Sequence, residues 1–388
     1  MVVAYTLIIQ AVGVGTIYYC FALFTVPWIS EFSQGRAEVM LAIALMQFCN
    51  GLISPMIGAA MDRFRVRNLV ALGAVIYASG FIALSSITAF WQVYLIYGLV
   101  FPLALGLTGN LAAQVLITRR FQQDRGLALG ISAMGTNLGG IVFPLLAADA
   151  IGAGAWRDVT LNFALVSLLV VVPLTFWVLR HRAVAPATTA SQQASISARQ
   201  IVTSRTFLIC AIGFVFMNMA FNAVQTNVAV MANDLGIADW SGRLIALTAI
   251  TMVLGKFFFG LVGDRVHHQR LFWLSSGTML SGLLILLATP SPVQFAVGVG
   301  LIGLAGGGFL PIIGLIIGAR YPLEYFGRVM GLMMLAWSTG AIGPVIAGAA
   351  YDATGGYGGA LLLFAGLLVP GIVAMYWLPG TLREQENR

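Results

Sequence analysis

At 388 residues the chain is 60% hydrophobic and only 9% charged, with a mean hydropathy of +0.94, which excludes a soluble globular protein. A net charge of +7 would suggest nucleic acid in a soluble chain, but here the basic residues lie in short connections between apolar runs and so report membrane topology. At roughly 20 apolar residues per span there is room for about twelve membrane helices and no separate soluble domain.

Long apolar runs predict spans near 3–28, 37–61, 69–88, 91–118, 127–152 and 158–180, then near 205–234, 241–263, 271–289, 293–318, 329–353 and 358–379. The first run lacks a basic leader and is too long for a signal-peptide core, so it reads as a retained span. Between the two sets lies 183–204, rich in Ala, Ser, Thr and Gln with little large apolar surface, which reads as a linker. The expected fold is therefore an all-α membrane protein of twelve transmembrane helices. Two six-helix bundles, 1–182 and 205–388, flank the linker, and the second includes a short tail. Small residues at four-residue spacing, Gly135 with Gly139 and Gly314 with Gly318, predict close helix crossings. Cys20, Cys49 and Cys210 fall inside apolar runs and read as small buried hydrophobes.

The even-numbered connections and the tail hold sixteen arginines, the odd ones only Arg36, Arg157 and Arg243. This bias predicts a multi-pass protein of the bacterial inner membrane with both termini and the linker cytoplasmic. The twentieth basic residue is Lys256, the single lysine, and it belongs to no connection.

Two sequence echoes indicate an internal duplication. Gly58-Ala-Ala-Met-Asp62-Arg63 after the second span returns as Gly260-Leu-Val-Gly-Asp264-Arg265 after the eighth. Arg120-Phe121 with Arg125-Gly126 after the fourth span is echoed by Arg320-Tyr321 with Gly327-Arg328 after the tenth. Such repeats mark transporters whose halves rock about a central site.

The Gly-x-x-x-Asp-Arg segments resemble the signature of the major facilitator superfamily, over the whole chain. The resemblance implies that Asp62, Arg63, Asp264 and Arg265 tie helix ends together on the cytoplasmic side in the outward-facing state, with Arg120 and Arg125 in the same gating and structural layer. A carboxylate near a helix N-terminus suits such a contact, being stabilised by the dipole. Arg65 and His267 stand where that family usually has glycine. Further segments are similar to the monocarboxylate transporter and oxalate:formate antiporter branch: Arg120-Phe121 to Arg125-Gly126, Gly343-Pro344, and Tyr351-Asp352-Ala-Thr-Gly355. A cation four residues before the glycine of the second signature belongs to the same branch. In it, that cation is an arginine that binds the substrate's carboxylate; here it is Lys256. Some members carry a proton-accepting Asp one turn earlier, where this chain has Met252.

Residue chemistry points the same way. An ammonium deep in a membrane is costly and faces an aqueous cavity when it persists. Lys256 lies two turns, about 12 Å, from Asp264-Arg265, too deep for easy snorkelling. No carboxylate sits in the middle of a span, since Asp149, Asp234 and Asp352 lie near outer ends. The expected partner is a small organic carboxylate, accompanied by protons or a counter-anion. Candidate lining residues are Asn110 and Gln114, one turn apart on the fourth span, and Asn222 and Gln225 with Asn218 on one face of the seventh. Buried amides need partners, whether substrate, water or another helix. Tyr18, Tyr19 and Trp337 offer apolar walls with a polar handle, or simple packing. His181, His267 and His268 form no metal-ligand pattern, and there is no phosphate-cradling loop, so neither an enzyme, a cofactor nor ATP hydrolysis is expected. Beyond the lipid bilayer and the substrate no partner is expected, and no nucleic acid. The alternatives are a multidrug or neutral-solute carrier in which Lys256 is structural, and a non-transporting membrane receptor or sensor.

Overall fold

The computed structural model describes residues 1–120, 125–180, 197–263, 265–288, 291–322 and 326–380. Among them, twelve helical segments are long and apolar enough to cross a membrane. Spans 1 to 6 are Val2–Phe32, Arg36–Ser54, Val66–Ser85, Trp91–Ile117, Gly130–Gly152 and Trp156–Val178. Spans 7 to 12 are Arg205–Asp234, Ala238–Gly263, His268–Leu287, Pro292–Gly318, Val329–Thr354 and Gly358–Trp377. Each coincides with a predicted run, because a stretch of apolar residues this long satisfies its backbone in lipid only as a helix. Successive spans alternate between the end bearing the 181–204 connection, here the linker side, and the opposite, far side. Of the predicted linker, 183–196 lies outside the described residues; its end forms a short helix, Ala198–Val202, capped by the Ser197 side chain and Gln200. Ser204 then hydrogen-bonds Tyr321 at 2.5 Å, and burial pushes that phenol's pKa up from its ordinary value.

The helices sort into two compact units, one of 1–188 with 226–249, the other of 189–225 with 250–388. The far-side ends of spans 7 and 8 thus pack with the first six spans. In the first unit, a Cβ on Gly135 or Gly139 would collide with the carbonyl oxygen of Leu7 or Ala11, so spans 1 and 5 touch backbone to backbone as the four-residue spacing predicts. The second unit repeats the device between spans 7 and 11, where a Cβ on Gly343 would strike the Met219 carbonyl and one on Gly340 would lie 3.1 Å from that of Val215. Gly314, of the other predicted pair, has open space around its Cβ position. The crossing there is not a close one.

Span 4 is interrupted, and at a comparable place span 10 tightens by one turn without leaving the helical backbone, Gly308 keeping φ −75° and ψ −18°. Span 4 stops at Thr108 and resumes at Asn110, around Gly109, where a Cβ would lie 2.5 Å from the Leu105 carbonyl oxygen. In span 10 the tightened turn lies between Gly307 and Phe309, at Gly308. Span 1 contains one widened turn, Gly15–Tyr19, in which the Cys20 amide donates back to the Gly15 carbonyl at 3.0 Å. Such turns and breaks concentrate at functional positions in membrane helices. Span 11 ends on Gly355, whose φ of 75° makes the left-handed cap that glycine adopts freely.

The far side of the first unit is tied by ion pairs. Arg157 grips Glu31 with two bonds of 2.6 and 2.8 Å, while the Trp156 indole donates to the same carboxylate at 2.9 Å. Arg36, opening span 2, holds Asp234, closing span 7, through two bonds of 2.7 Å. Two of the three arginines expected in odd connections are therefore partnered by carboxylates rather than by solvent alone.

Candidate substrate site

Lys256 sits half-buried on span 8, in a stretch where the helix is pressed against span 10. A Cβ on Gly255 would collide with the Leu304 carbonyl oxygen; one on Gly307 would collide with that of Met252 and lie 2.8 Å from the Lys256 backbone nitrogen. The lysine's backbone is therefore fixed by a glycine crossing in which neither partner can retreat. Every other charged residue within the spans falls in a terminal turn or two, whereas Lys256 stands about two turns inside.

Span 10 meets span 7 on its other face. The Phe221 ring fills the space where a Gly306 Cβ would be, 2.7 Å away, and the Phe259 ring does the same at Gly308, 2.6 Å away. Three consecutive glycines thus admit span 7, the backbone of Lys256 and a span 8 ring. Phe221 also contacts Phe309 edge to face at 5.9 Å, and Phe309 contacts Trp337 at 5.6 Å. These rings make an aromatic arc across spans 7, 10 and 11.

Polar groups follow the same face of span 7. Asn218 donates to the Trp337 carbonyl at 3.0 Å, and Asn222 donates to the Asn218 carbonyl and side-chain oxygen, both at 2.9 Å. Gln225, one turn on, is 3% exposed and its Oε1 accepts no hydrogen bond among the described residues. A buried acceptor left in this state costs about 1–3 kcal/mol unless something else meets it. The predicted Asn222, Gln225, Trp337 and Lys256 accordingly fall on helices that contact one another within the second unit.

The first-unit candidates divide. Tyr19 is buried with its ring against Gly140, 2.7 Å from where a Cβ would be, and meets Tyr18 edge to face at 5.8 Å. Both lie in the widened turn of span 1, with Tyr18 half-buried. Asn110 begins the second segment of span 4 directly after the Gly109 break, and Gln114 follows one turn later; both are exposed. The desolvation that makes Asn222 and Gln225 informative therefore does not act on these two amides.

On the linker side, Arg63 is exposed at the end of the helix Arg36–Arg63, Arg120 at the end of Asn110–Arg120, and Arg265 just beyond span 8. The side chains of Asp62 and Arg125, and Asp264 entirely, lie outside the described residues. The backbone explains the absent family glycine: Arg65 has φ −68° and ψ 117°, and His267 φ −57° and ψ 133°, conformations open to any residue. Among the described residues no group of three His, Cys, Asp or Glu side chains is arranged to hold a metal.

Sequence reasoning passed over the glycine triplet, Phe221, Phe309 and the Arg36–Asp234 pair. Three glycines in a row were the available signal for the first. The rest depend on contacts between helices distant in sequence.

The chain is 24% identical over 322 residues to a protein of Paecilomyces divaricatus named an agnestins efflux protein, covering 80% of this chain and 71% of that one. It is 24% identical over 373 residues to monocarboxylate transporter 13 of Bos taurus, covering 92% and 84%. Its fold resembles the crystal structure of a bacterial homologue of the human lysosomal transporter Spinster, in an inward-facing and occupied conformation, with a TM-score of 0.72 at 16% identity over 97% of this chain and 94% of that one. The model of the Major Facilitator Superfamily matches residues 7–246 and 228–388. The chain therefore belongs to the Major Facilitator Superfamily, a family of membrane transporters and not of enzymes.

Proposed function

We propose that this transporter moves a small organic anion, a monocarboxylate, by alternating access, with Lys256 as the group that receives the carboxylate. The observation that carries the reading is the place of Lys256: among the described residues the one charge deep in a span, its backbone pinned at the span 8 and span 10 crossing. Holding an ammonium there costs a few kcal/mol on insertion scales, and an anionic passenger would be attracted to it where a neutral one would not. The neighbouring aromatic arc supplies an apolar wall for the organic body, and the orphaned Gln225 oxygen an acceptor for a hydroxyl or ammonium donor upon it. A relative named a monocarboxylate transporter supports the same cargo.

Two moving halves, 1–182 and 205–388 joined through 183–204, would expose Tyr18, Tyr19, Asn110 and Gln114 from one side and Lys256, Asn222, Gln225 and Trp337 from the other. Asp62, Arg63, Asp264 and Arg265, with Arg120 and Arg125, would close the linker side, placed in the cytoplasm of a cell whose inner membrane holds the protein. Movement of protons or a counter-anion would supply the driving force. Because lysine is a compact point charge rather than a planar fork, the carboxylate is held by charge more than by bidentate geometry.

The test is uptake of labelled lactate, pyruvate and larger aromatic acids into proteoliposomes. Wild type is expected to transport at least one of them, Lys256→Gln to lose at least about ten-fold in kcat/KM, and Lys256→Arg to retain a measurable part. Transport of a neutral solute that survives Lys256→Gln, with no carboxylate flux in wild type, overturns the reading. A relative named an efflux protein favours outward movement of a larger product, and the same vesicles loaded with substrate decide the direction.

A further inference from the structure

Away from the substrate site, the linker-side end of the second unit holds a groove of about 420 Å³ between the start of span 7 and the end of span 12. Its mouth carries Arg205, the first residue of span 7, which is exposed and makes no hydrogen bond or ion pair among the described residues. Its floor is apolar: Leu208 and Ile212, one turn apart and 47% and 40% exposed, face Ala374 and Trp377 of span 12. Tyr376 and Trp377 form an edge-to-face pair at 5.9 Å and are 71% and 53% exposed. Exposed aromatic pairs of this kind sit at the headgroup level of a bilayer, which fixes the depth of Arg205 beside them. From that level the apolar floor descends into hydrocarbon.

We propose that this groove binds an anionic phospholipid of the leaflet on the linker side. Its phosphate lies against the Arg205 guanidinium and one acyl chain runs along Leu208, Ile212 and Ala374. The chemistry selects this occupant. An unpaired guanidinium offers two parallel donors to a phosphate and has no acceptor for a cationic headgroup to use. Span 7 begins at Arg205, so its helix dipole adds positive potential at the same point. Arg199, Arg265 and Arg270, all exposed at this end of the unit, deepen the field. A free phosphate would use only the mouth and leave the floor empty, whereas a diacyl lipid fills both. A second groove of about 450 Å³, sharing Trp377 and otherwise lined by Trp273, Ile372, Val373 and Tyr376, has no charged side chain. It accommodates a chain without choosing a headgroup, and it is the internal contrast that assigns selectivity to Arg205.

The experiment is native mass spectrometry of the full chain released from nanodiscs of equimolar palmitoyl-oleoyl phosphatidylglycerol and phosphatidylcholine. Wild type is expected to retain phosphatidylglycerol roughly five-fold over phosphatidylcholine, the preference one arginine near an anionic headgroup provides. Arg205→Gln is expected to lower the ratio to about that of random retention, and Arg205→Lys to keep most of it. Trp377→Ala is expected to lower total retention while preserving the ratio. Glycerol phosphate added at millimolar concentration is expected to displace nothing. Equal retention of the two lipids by wild type, an unchanged ratio in Arg205→Gln, or displacement by glycerol phosphate overturns the proposal. The last result would assign the mouth to a soluble anion.

Discussion

The bare Oε1 of Gln225 distinguishes two uses of a buried amide. An amide that only ties helices together has its partners in place, as Asn218 does with the Trp337 carbonyl and Asn222 with Asn218. Gln225 is as buried as these and lacks its acceptor's partner. Replacing it with methionine removes the unsatisfied group while keeping shape, so the empty protein is expected to be equally stable or stabilised by about 1 kcal/mol. The same change is expected to weaken carboxylate binding several-fold. Thermal-shift measurement with and without ligand reads both; a destabilised empty protein with intact binding would make Gln225 structural. Lys256 was legible in the sequence because a lone charge in an apolar run needs no neighbours to be noticed. Asn110 and Gln114 have the spacing of a lining pair, but their exposure directly after the Gly109 break comes from the fold and could not be read from the sequence.

At the scale of the helix, glycine spacing announces that helices can approach, and packing decides whether they do. Gly139 and Gly314 both belong to four-residue pairs, yet a Cβ on the first would meet the Ala11 carbonyl and on the second would meet nothing. Gly139→Val is therefore expected to cost roughly 3 kcal/mol as an overpacked backbone contact, and Gly314→Ala to be tolerated. Melting temperature and monodispersity of the detergent-solubilised protein check this, and equal behaviour of the two variants would contradict the crossing. Gly307 adds a functional version. Its Cβ would strike the Met252 carbonyl and crowd the Lys256 nitrogen, and backbone cannot swing aside. Gly307→Ala is expected to push spans 8 and 10 apart, displacing Lys256 and reducing transport more than stability. Flux retained at the wild-type level with a lowered melting temperature would show that the crossing serves packing alone. The twelve spans themselves were readable because length and apolarity settle a membrane helix without tertiary information. The break at Gly109 was not, since an apolar run with glycines reads the same whether continuous or interrupted.

For the whole molecule, the informative feature is that the end of span 7 packs with spans from the other half of the sequence. Arg36 and Asp234 lie 198 residues apart and hold one another through two bonds of 2.7 Å, with side chains 11% and 27% exposed. A fully solvated surface pair contributes well under 1 kcal/mol; this one is bidentate and partly shielded, which raises it to about 1 kcal/mol. On the alternating-access reading proposed above, that is weak enough for a contact to be made and broken within a transport cycle. A pair several-fold stronger would trap the carrier in one state. Although both residues pack within the first unit, Asp234 belongs to the second half of the sequence, so on the proposed reading, with spans 7 to 12 swinging against spans 1 to 6, the far side would open as Asp234 leaves Arg36. In a background lacking the three native cysteines, joining Arg36→Cys to Asp234→Cys with a short bifunctional maleimide is expected to abolish flux. Binding of a carboxylate presented on the linker side is expected to persist, since the lock lies at the opposite end of span 7. Full flux after cross-linking would mean that the far side opens elsewhere and that this pair is a fixed strut. Reversing both charges, Arg36→Asp with Asp234→Arg, is expected to restore most of the flux that either single reversal loses, because the latch depends on attraction across the pair and not on which helix carries which sign.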